Sequence, residues 1–193
     1  MSVSPVTLAA PAPRAERLDH AFAEGLTLPD GPVTVLRPRA GEAFAPLDVS
    51  RLRMVQGFRP DHDALAQAGY TVGIDAAPAP TVLVCLPRAK DHALMLIAQA
   101  AALASDLVVV DGQKTDGIDS VLKSLRDRVS VSSTSKAHGR LLWFDPRGVD
   151  LSDWAGDAQH VQTDFGPMLT APGLFSADGI DPATSLLAGA LPS

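Results

Sequence analysis

The sequence contains a single cysteine, Cys85, so no disulfide bond can form within the chain. A lone cysteine is typical of proteins that work in a reducing compartment. Acidic residues outnumber basic ones, 22 to 16, which argues against a surface that is basic all over and coats nucleic acid. The same balance is compatible with a local basic patch.

Long apolar runs and metal-binding patterns are also missing. The longest apolar stretch, residues 93–104, is too short to cross a bilayer and is interrupted by Gln99. The N-terminus has no basic start before its short apolar segment, so it does not resemble a secretory signal. The five histidines show no paired ligand spacing. We therefore expect a cytoplasmic protein that binds no metal and no membrane.

The common glycine loops of nucleotide-binding proteins do not occur, since the sequence has no Gly-x-Gly pattern and no Walker motif. The turn after the first predicted strand reads Arg37-Pro38-Arg39-Ala40-Gly41. It carries one glycine, and Pro38 has no backbone N–H to donate to a ligand. This turn is therefore not expected to hold a cofactor.

What the sequence does have is an alternation of apolar strands and helices. Strands are predicted over residues 33–39, 51–58, 81–87, 106–112 and 139–145, and helices over 60–69, 91–104 and 116–129. Strands that are apolar throughout and alternate with helices indicate an α/β fold with a largely parallel sheet and helices on both faces. A β-hairpin around residues 164–166 and an apolar helix near the end follow this domain.

Basic residues follow several of the predicted strands. If the sheet is parallel, they share its carboxyl edge, where arginine suits phosphate contacts. The RNA-binding candidates are Arg37, Arg39, Arg59, Arg88 and Lys90. The alternative is ordinary solvated surface charge.

Two further motifs have a functional and a structural interpretation. Asp111-Gly112, before a helix, is typical of a tight turn with an acidic helix start, which is favoured over an anion site because the nearby aspartates repel phosphate. Cys85, at the end of an apolar strand, is expected to be a small core residue rather than a nucleophile.

The closing segment has the most specific motif. It reads Pro-Gly-Leu-Phe-Ser over residues 172–176, then Asp-Gly-Ile-Asp over 178–181 and Ser-Leu-Leu over 185–187. In these residues, and more weakly from about residue 20 onward, the chain resembles the small-subunit (16S) rRNA guanine-N2 methyltransferases. These enzymes carry two class I methyltransferase-like, Rossmann-like domains in tandem, the first degenerate and the second active with S-adenosylmethionine.

The resemblance implies a division of the chain. It gives an arm and short helix (1–22), a degenerate methyltransferase-like domain (23–147), a linker with hairpin (148–171), and the truncated start of the catalytic domain (172–193). By the same resemblance Phe175 and Ser176 lie beside the cofactor pocket of that catalytic domain. No catalytic residue and no bound cofactor is expected in this chain alone, which should be inactive by itself.

The implied function is that of a non-catalytic domain that supports its C-terminal methyltransferase domain and helps to hold small-subunit rRNA or the ribosomal subunit. Two other interpretations stay open on the residues. One is a stand-alone α/β enzyme that uses Cys85 or a small cofactor. The other is a scaffold domain that makes no contact with RNA.

Overall fold

A computed structural model of the chain describes residues 12–156, 159–163, 166–173 and 179–190. Its main element is a seven-stranded sheet in the order β3-β2-β1-β4-β5-β7-β6. The strands are β1 (Val33–Leu36), β2 (Leu52–Val55), β3 (Thr71–Gly73), β4 (Ala79–Cys85), β5 (Ala104–Gln113), β6 (Ser132–Lys136) and β7 (Gly139–Phe144). The helices around it are α1 (Pro13–Ala23), α2 (Arg59–Gln67), α3 (Lys90–Leu103) and α4 (Ile118–Arg126).

The first five strands run parallel to one another, and β7 runs antiparallel between β5 and β6. The order of the strands reverses between β1 and β4, as in doubly wound dinucleotide-binding sheets, but the inserted β7 separates this sheet from their usual order. The arrangement is an α/β, Rossmann-like fold with a mostly parallel sheet. The predicted fold class is therefore confirmed.

Helices cover both faces of the sheet because its central strands are apolar on both sides. Successive residues of a strand point to opposite faces. On one face, Val84 and Val110 pack in a cluster with buried residues of α3 and α4. On the other face, Leu83 and Val109 pack with Leu18 and others from α1.

Helix α1 belongs to this second face. Its residues Leu18 and Ala21 are buried against the sheet, beside β6 and β7. Gly25 follows the end of the helix with a φ of 99°, a left-handed conformation that favours glycine. The N-terminal half of the helix lies at the carboxyl edge of the parallel strands, where Arg14 and Arg17 contact Asp111 of β5.

Several predicted elements shift at their ends. Strand β1 stops at Leu36 because Arg37 has a left-handed φ of 59° and is followed by a proline. Strand β2 stops at Val55, which leaves Phe58 in the loop before α2. The turn predicted at Asp111-Gly112 is wrong, because both residues lie within β5 and pair with β7.

The remaining chain forms a hairpin and a last helix. The two predicted hairpin strands are present as β8 (Gln159–Thr163) and β9 (Gly166–Thr170), which pair antiparallel. Helix α5 (Pro182–Ala190) leaves Leu186 and Leu187 largely exposed. In the described part of the chain, the helices are all too short or too polar to cross a membrane.

Candidate functional site

Ligands of open α/β sheets bind outside the carboxyl ends of the strands, where the strand order reverses. In this chain that place lies after β1 and β4, beside the end of β5. A cavity of about 180 Å³ is found there. It is lined by residues from several elements, among them Arg14, Arg17, Arg37, Glu42, Cys85 and Asp111.

A buried network of ion pairs occupies much of this edge. Arg17 donates from Nε to Asp111 Oδ1 at 2.5 Å and from Nη2 to Oδ2 at 3.0 Å. Arg14 donates from Nε to Asp111 Oδ2 at 2.7 Å and also binds both carboxylate oxygens of Glu42. We call these four residues the arginine cluster. Its ion pairs join helix α1 to the carboxyl end of β5.

The cluster is desolvated as well as charged. The Asp111 side chain is 1% exposed and that of Arg17 is 2% exposed. Burial by itself would lower the pKa of Arg14, but the acidic groups of Cys85, Asp111 and Glu42 raise it above its usual value. Removing one partner of such a buried pair leaves an uncompensated charge and is strongly destabilising. The cluster is therefore part of the fold.

Close packing behind the cluster fixes its position. A Cβ on Gly139 would lie 2.5 Å from the carbonyl oxygen of Gly112 and 2.8 Å from Nη1 of Arg17. Only glycine leaves room for the guanidinium beside β7, because a Cβ atom essentially never approaches other atoms so closely. The Arg17 side chain also donates from Nη1 to the carbonyl oxygen of Ala137 at 3.2 Å.

The space that remains is small for a cofactor. Ligand pockets of proteins usually enclose about 300–1,000 Å³, and this cavity has about 180 Å³. The carboxylate at the end of β5 is already bound by side chains of its own chain. The edge thus has the location of a cofactor site, and protein side chains fill it.

Cys85 lies at the carboxyl end of β4 and is 2% exposed. Burial raises the pKa of its thiol to about 12. A nucleophilic cysteine needs a lowered pKa and access to solvent. The environment of Cys85 is that of the predicted core residue.

The predicted basic residues lie at the same edge, because Leu36 pairs in register with both Val55 and Val84. Two of them, Arg37 and Arg39, line one shallow depression of about 380 Å³, together with Gln56, Phe58 and Asp61. We call these five residues the open depression.

The other three candidates differ from this pair. Arg59, whose side chain is 87% exposed, forms an ion pair with Asp63 at 3.1 Å. Arg88 and Lys90 are exposed at the start of α3. The structure thus brings Arg37 and Arg39 together, and it places Arg59, Arg88 and Lys90 along the same edge.

Phe175 and Ser176 lie outside the described residues. The chain just before them is described and lies against α3. A Cβ on Gly173 would come within 2.5 Å of Nδ1 of His92, so the backbone there touches the imidazole ring directly. Within the described ranges, no group of three or more histidine, cysteine, aspartate or glutamate residues is arranged to hold a metal ion.

Sequence reasoning missed three residues that shape this edge. Arg14 and Arg17 are three positions apart, so they share a face of α1 with the buried Leu18 and Ala21. Basic residues on the apolar face of a helix are a usable sign of buried ion pairs. Phe58, an aromatic residue between a strand and a helix, gave no comparable sign.

Comparison with known proteins supports the fold. No family model matches the sequence, and no curated protein matches it. Among solved structures, the chain is similar to the T. thermophilus 16S rRNA N2 G1207 methyltransferase (RsmC) in complex with AdoMet and guanosine. The TM-score is 0.64 at 19% identity, over 93% of this chain and 53% of the other.

The chain therefore spans about half the length of that methyltransferase. At this identity the similarity shows a shared fold. It was found with a protein of the class that the closing motif resembles, so the resemblance is confirmed at the level of the fold.

Proposed function

We propose that this chain is the non-catalytic first domain of an S-adenosylmethionine-dependent rRNA guanine-N2 methyltransferase. In this proposal the chain acts in the cytoplasm. There it supports a catalytic methyltransferase domain and helps to hold small-subunit rRNA. S-adenosylmethionine would be bound by the catalytic domain, with Phe175 and Ser176 beside its pocket. The similarity of fold to an rRNA methyltransferase supports this proposal.

The observation that carries the non-catalytic part is the arginine cluster. In a cofactor-binding sheet, the edge beside β1, β4 and β5 is where the ligand enters. Here Asp111 accepts hydrogen bonds from both Arg14 and Arg17, and the turn after β1 begins with Arg37 and Pro38. A cofactor of ordinary size would have to displace this buried ion-pair network, because the free space beside it is about 180 Å³.

The RNA-holding part is supported by the basic residues of the same edge. Arginine guanidinium groups bind phosphate in a planar, bidentate manner. Arg37 and Arg39 line a depression that is open to solvent, and Arg88 and Lys90 are exposed after β4. The chain as a whole carries a net charge of −6, so this basic edge differs from the average surface.

The stand-alone enzyme that uses Cys85 is disfavoured by the burial and the raised pKa of that thiol. A pure scaffold differs from our proposal only in making no contact with RNA. The exposed Leu186 and Leu187 of α5 suit either version, since both require a surface for another domain.

One set of titrations tests the proposal on the 193-residue chain. Calorimetry with S-adenosylmethionine should detect no binding in the micromolar range. Fluorescence anisotropy with single-stranded small-subunit rRNA oligonucleotides should detect binding that weakens with salt. Replacing both Arg37 and Arg39 by Gln should reduce the slope of log K against log salt by about 1.4, at about 0.7 per phosphate contact.

The matched control replaces Arg53 and Lys123 by Gln, which changes the net charge equally at positions away from this edge. It should leave the slope unchanged. Micromolar affinity for S-adenosylmethionine would contradict the non-catalytic role. Absence of RNA binding by the wild-type chain would favour the scaffold instead.

A further inference from the structure

The open depression combines two arginines with an exposed aromatic ring. Phe58 is 63% exposed, among the most exposed large apolar side chains in the described part of the chain. It lies in the loop after β2, next to Arg37 and Arg39 of the loop after β1. The depression encloses about 380 Å³, which is within the range of small-ligand sites.

The backbone around Phe58 is held in place, so its ring is presented by a rigid support. The Phe58 N–H donates to Oε1 of Gln56 at 2.8 Å. Nε2 of the same buried glutamine donates to the carbonyl oxygen of Pro38 at 2.6 Å. A third hydrogen bond joins the loop after β1 to the first turn of α2, from the Ala40 N–H to Oδ1 of Asp61 at 3.1 Å. Binding of a ligand therefore requires little further ordering of the backbone around the depression.

The two arginines of the open depression have unused capacity. Among the described residues, neither guanidinium makes a hydrogen bond or an ion pair. The pKa of Arg37 is lowered by burial and by the positive charge of Arg39. An anion between the two groups would relieve this repulsion.

Of the two carboxylates nearby, one is paired within the arginine cluster and one lines the depression itself. Glu42 is bound by Arg14 and by the backbone N–H of Arg39. Asp61 accepts the backbone N–H of Ala40. Asp61 keeps its negative charge within the depression, so the two arginines leave a net charge of one positive unit there for a ligand from outside the chain.

We infer that the open depression binds one unpaired nucleotide of RNA, with its base stacked on Phe58 and a flanking phosphate held by Arg37 and Arg39. The inference rests on the RNA-holding role proposed above, and it names the part of the RNA that is recognised. Proteins recognise single-stranded RNA by stacking splayed bases on aromatic rings beside cationic groups. A continuous duplex has no free base face to offer to Phe58.

The test measures the affinity of the chain for two fluorescein-labelled RNA probes. One is a single strand of about ten nucleotides, within the usual site size of single-strand binders. The other is a duplex of the same length without overhangs. Phe58→Ala should weaken binding of the single strand by about 5- to 150-fold, the range for loss of one stacked base. Phe58→Trp should retain the wild-type affinity, because the indole ring also stacks. The duplex affinity should be the same for all three proteins.

Val49→Ala is the matched control, since Val49 is 48% exposed before the amino end of β2, away from the depression. It should bind as the wild-type chain does. Circular dichroism of each variant checks the fold, which an exposed side chain should not affect. The indole fluorescence that Phe58→Trp adds to the wild-type signal should be quenched by the single strand.

The outcomes separate this inference from the proposed function. Equal affinity of the wild-type chain and Phe58→Ala, with weakened binding after replacement of Arg37 and Arg39, would overturn the stacking role and leave the RNA-holding role intact. Loss of binding in Phe58→Ala that Phe58→Trp fails to restore would also overturn stacking. Absence of RNA binding by the wild-type chain would overturn both.

Discussion

The arginine cluster and the open depression lie on the same edge of the sheet and use the same side chain in opposite ways. In the cluster, Arg14 and Arg17 are buried and bound to carboxylates of their own chain. In the depression, Arg37 is half-buried, Arg39 is exposed, and neither has a carboxylate partner among the described residues. The difference between the two regions is whether carboxylates of the same chain pair with the guanidinium groups.

This contrast shows what burial does to a functional edge. A desolvated arginine must be paired, because an isolated charge in the interior costs several kcal/mol. Once paired, it stabilises the fold and is no longer available to a ligand. An arginine that keeps contact with solvent needs no internal partner, and it can bind a phosphate group that comes from outside.

The largest expected effect is a loss of stability when the arginine cluster is broken. Asp111→Ala leaves two buried guanidinium groups without their shared acceptor, so we expect the free energy of unfolding to fall by about 3–5 kcal/mol. Asp61→Ala in the open depression should cost less than about 1 kcal/mol. Urea unfolding followed by circular dichroism measures both variants, and equal losses would show that the cluster is not the stronger anchor.

A second effect concerns the thiol beside the cluster. The pKa of Cys85 rises from an ordinary 9.0 to about 12 on folding, so the unfolded chain loses this proton first as pH increases. The stability that the thiol contributes is complete below pH 9 and falls by about 1.4 kcal/mol per pH unit as pH rises toward 12. Cys85→Ala should lack this decline.

Urea unfolding of the wild-type chain and Cys85→Ala at about pH 7, 9 and 10 measures the difference directly, because all other titrating groups are shared. The gap between the two proteins should change only above pH 9, the ordinary pKa of the thiol. Parallel curves across the whole range would mean that the thiol is not desolvated in solution.

The smallest expected effect is a change in RNA affinity at the open depression. Asp61→Asn removes one negative charge from the depression and keeps an acceptor for the Ala40 N–H. Affinity for single-stranded RNA should rise by about two- to fivefold, as expected for one charge acting through water. Asp127→Asn, at an exposed acid after α4, should leave the affinity unchanged. Anisotropy titrations at low salt measure both, and equal gains would indicate a general charge effect.

The sequence allowed the central part of the fold to be predicted, because β4 and β5 are continuous apolar runs and α4 has a clear apolar stripe. Strand β3 is only three residues long and β6 reads Ser-Ser-Thr-Ser-Lys, so neither has a local pattern. Pairing with β7 determines that β6 is a strand. That information comes from the neighbouring strand and is absent from the segment itself.

The candidate site, too, was predictable from the sequence only in part. The shared edge of Arg37, Arg39 and Arg88 followed from the parallel arrangement, in which strand ends meet at one side of the sheet. The pairing of Arg14 with Asp111 joins residues that are 97 positions apart, and no local pattern predicts it. Exposure of Phe58 depends on where β2 stops, which was predicted three residues too late. The roles of these residues in RNA binding remain predictions.

The arginine cluster also has a consequence for how this fold responds to its surroundings. A protein that needs a diffusible ligand for stability loses RT ln(1 + [L]/Kd) of it whenever the ligand becomes scarce. Arg14 and Arg17 belong to the same chain as the sheet edge that they fill, so dilution cannot remove them from it. On the proposed non-catalytic role, the melting temperature of this chain should be independent of the concentration of S-adenosylmethionine.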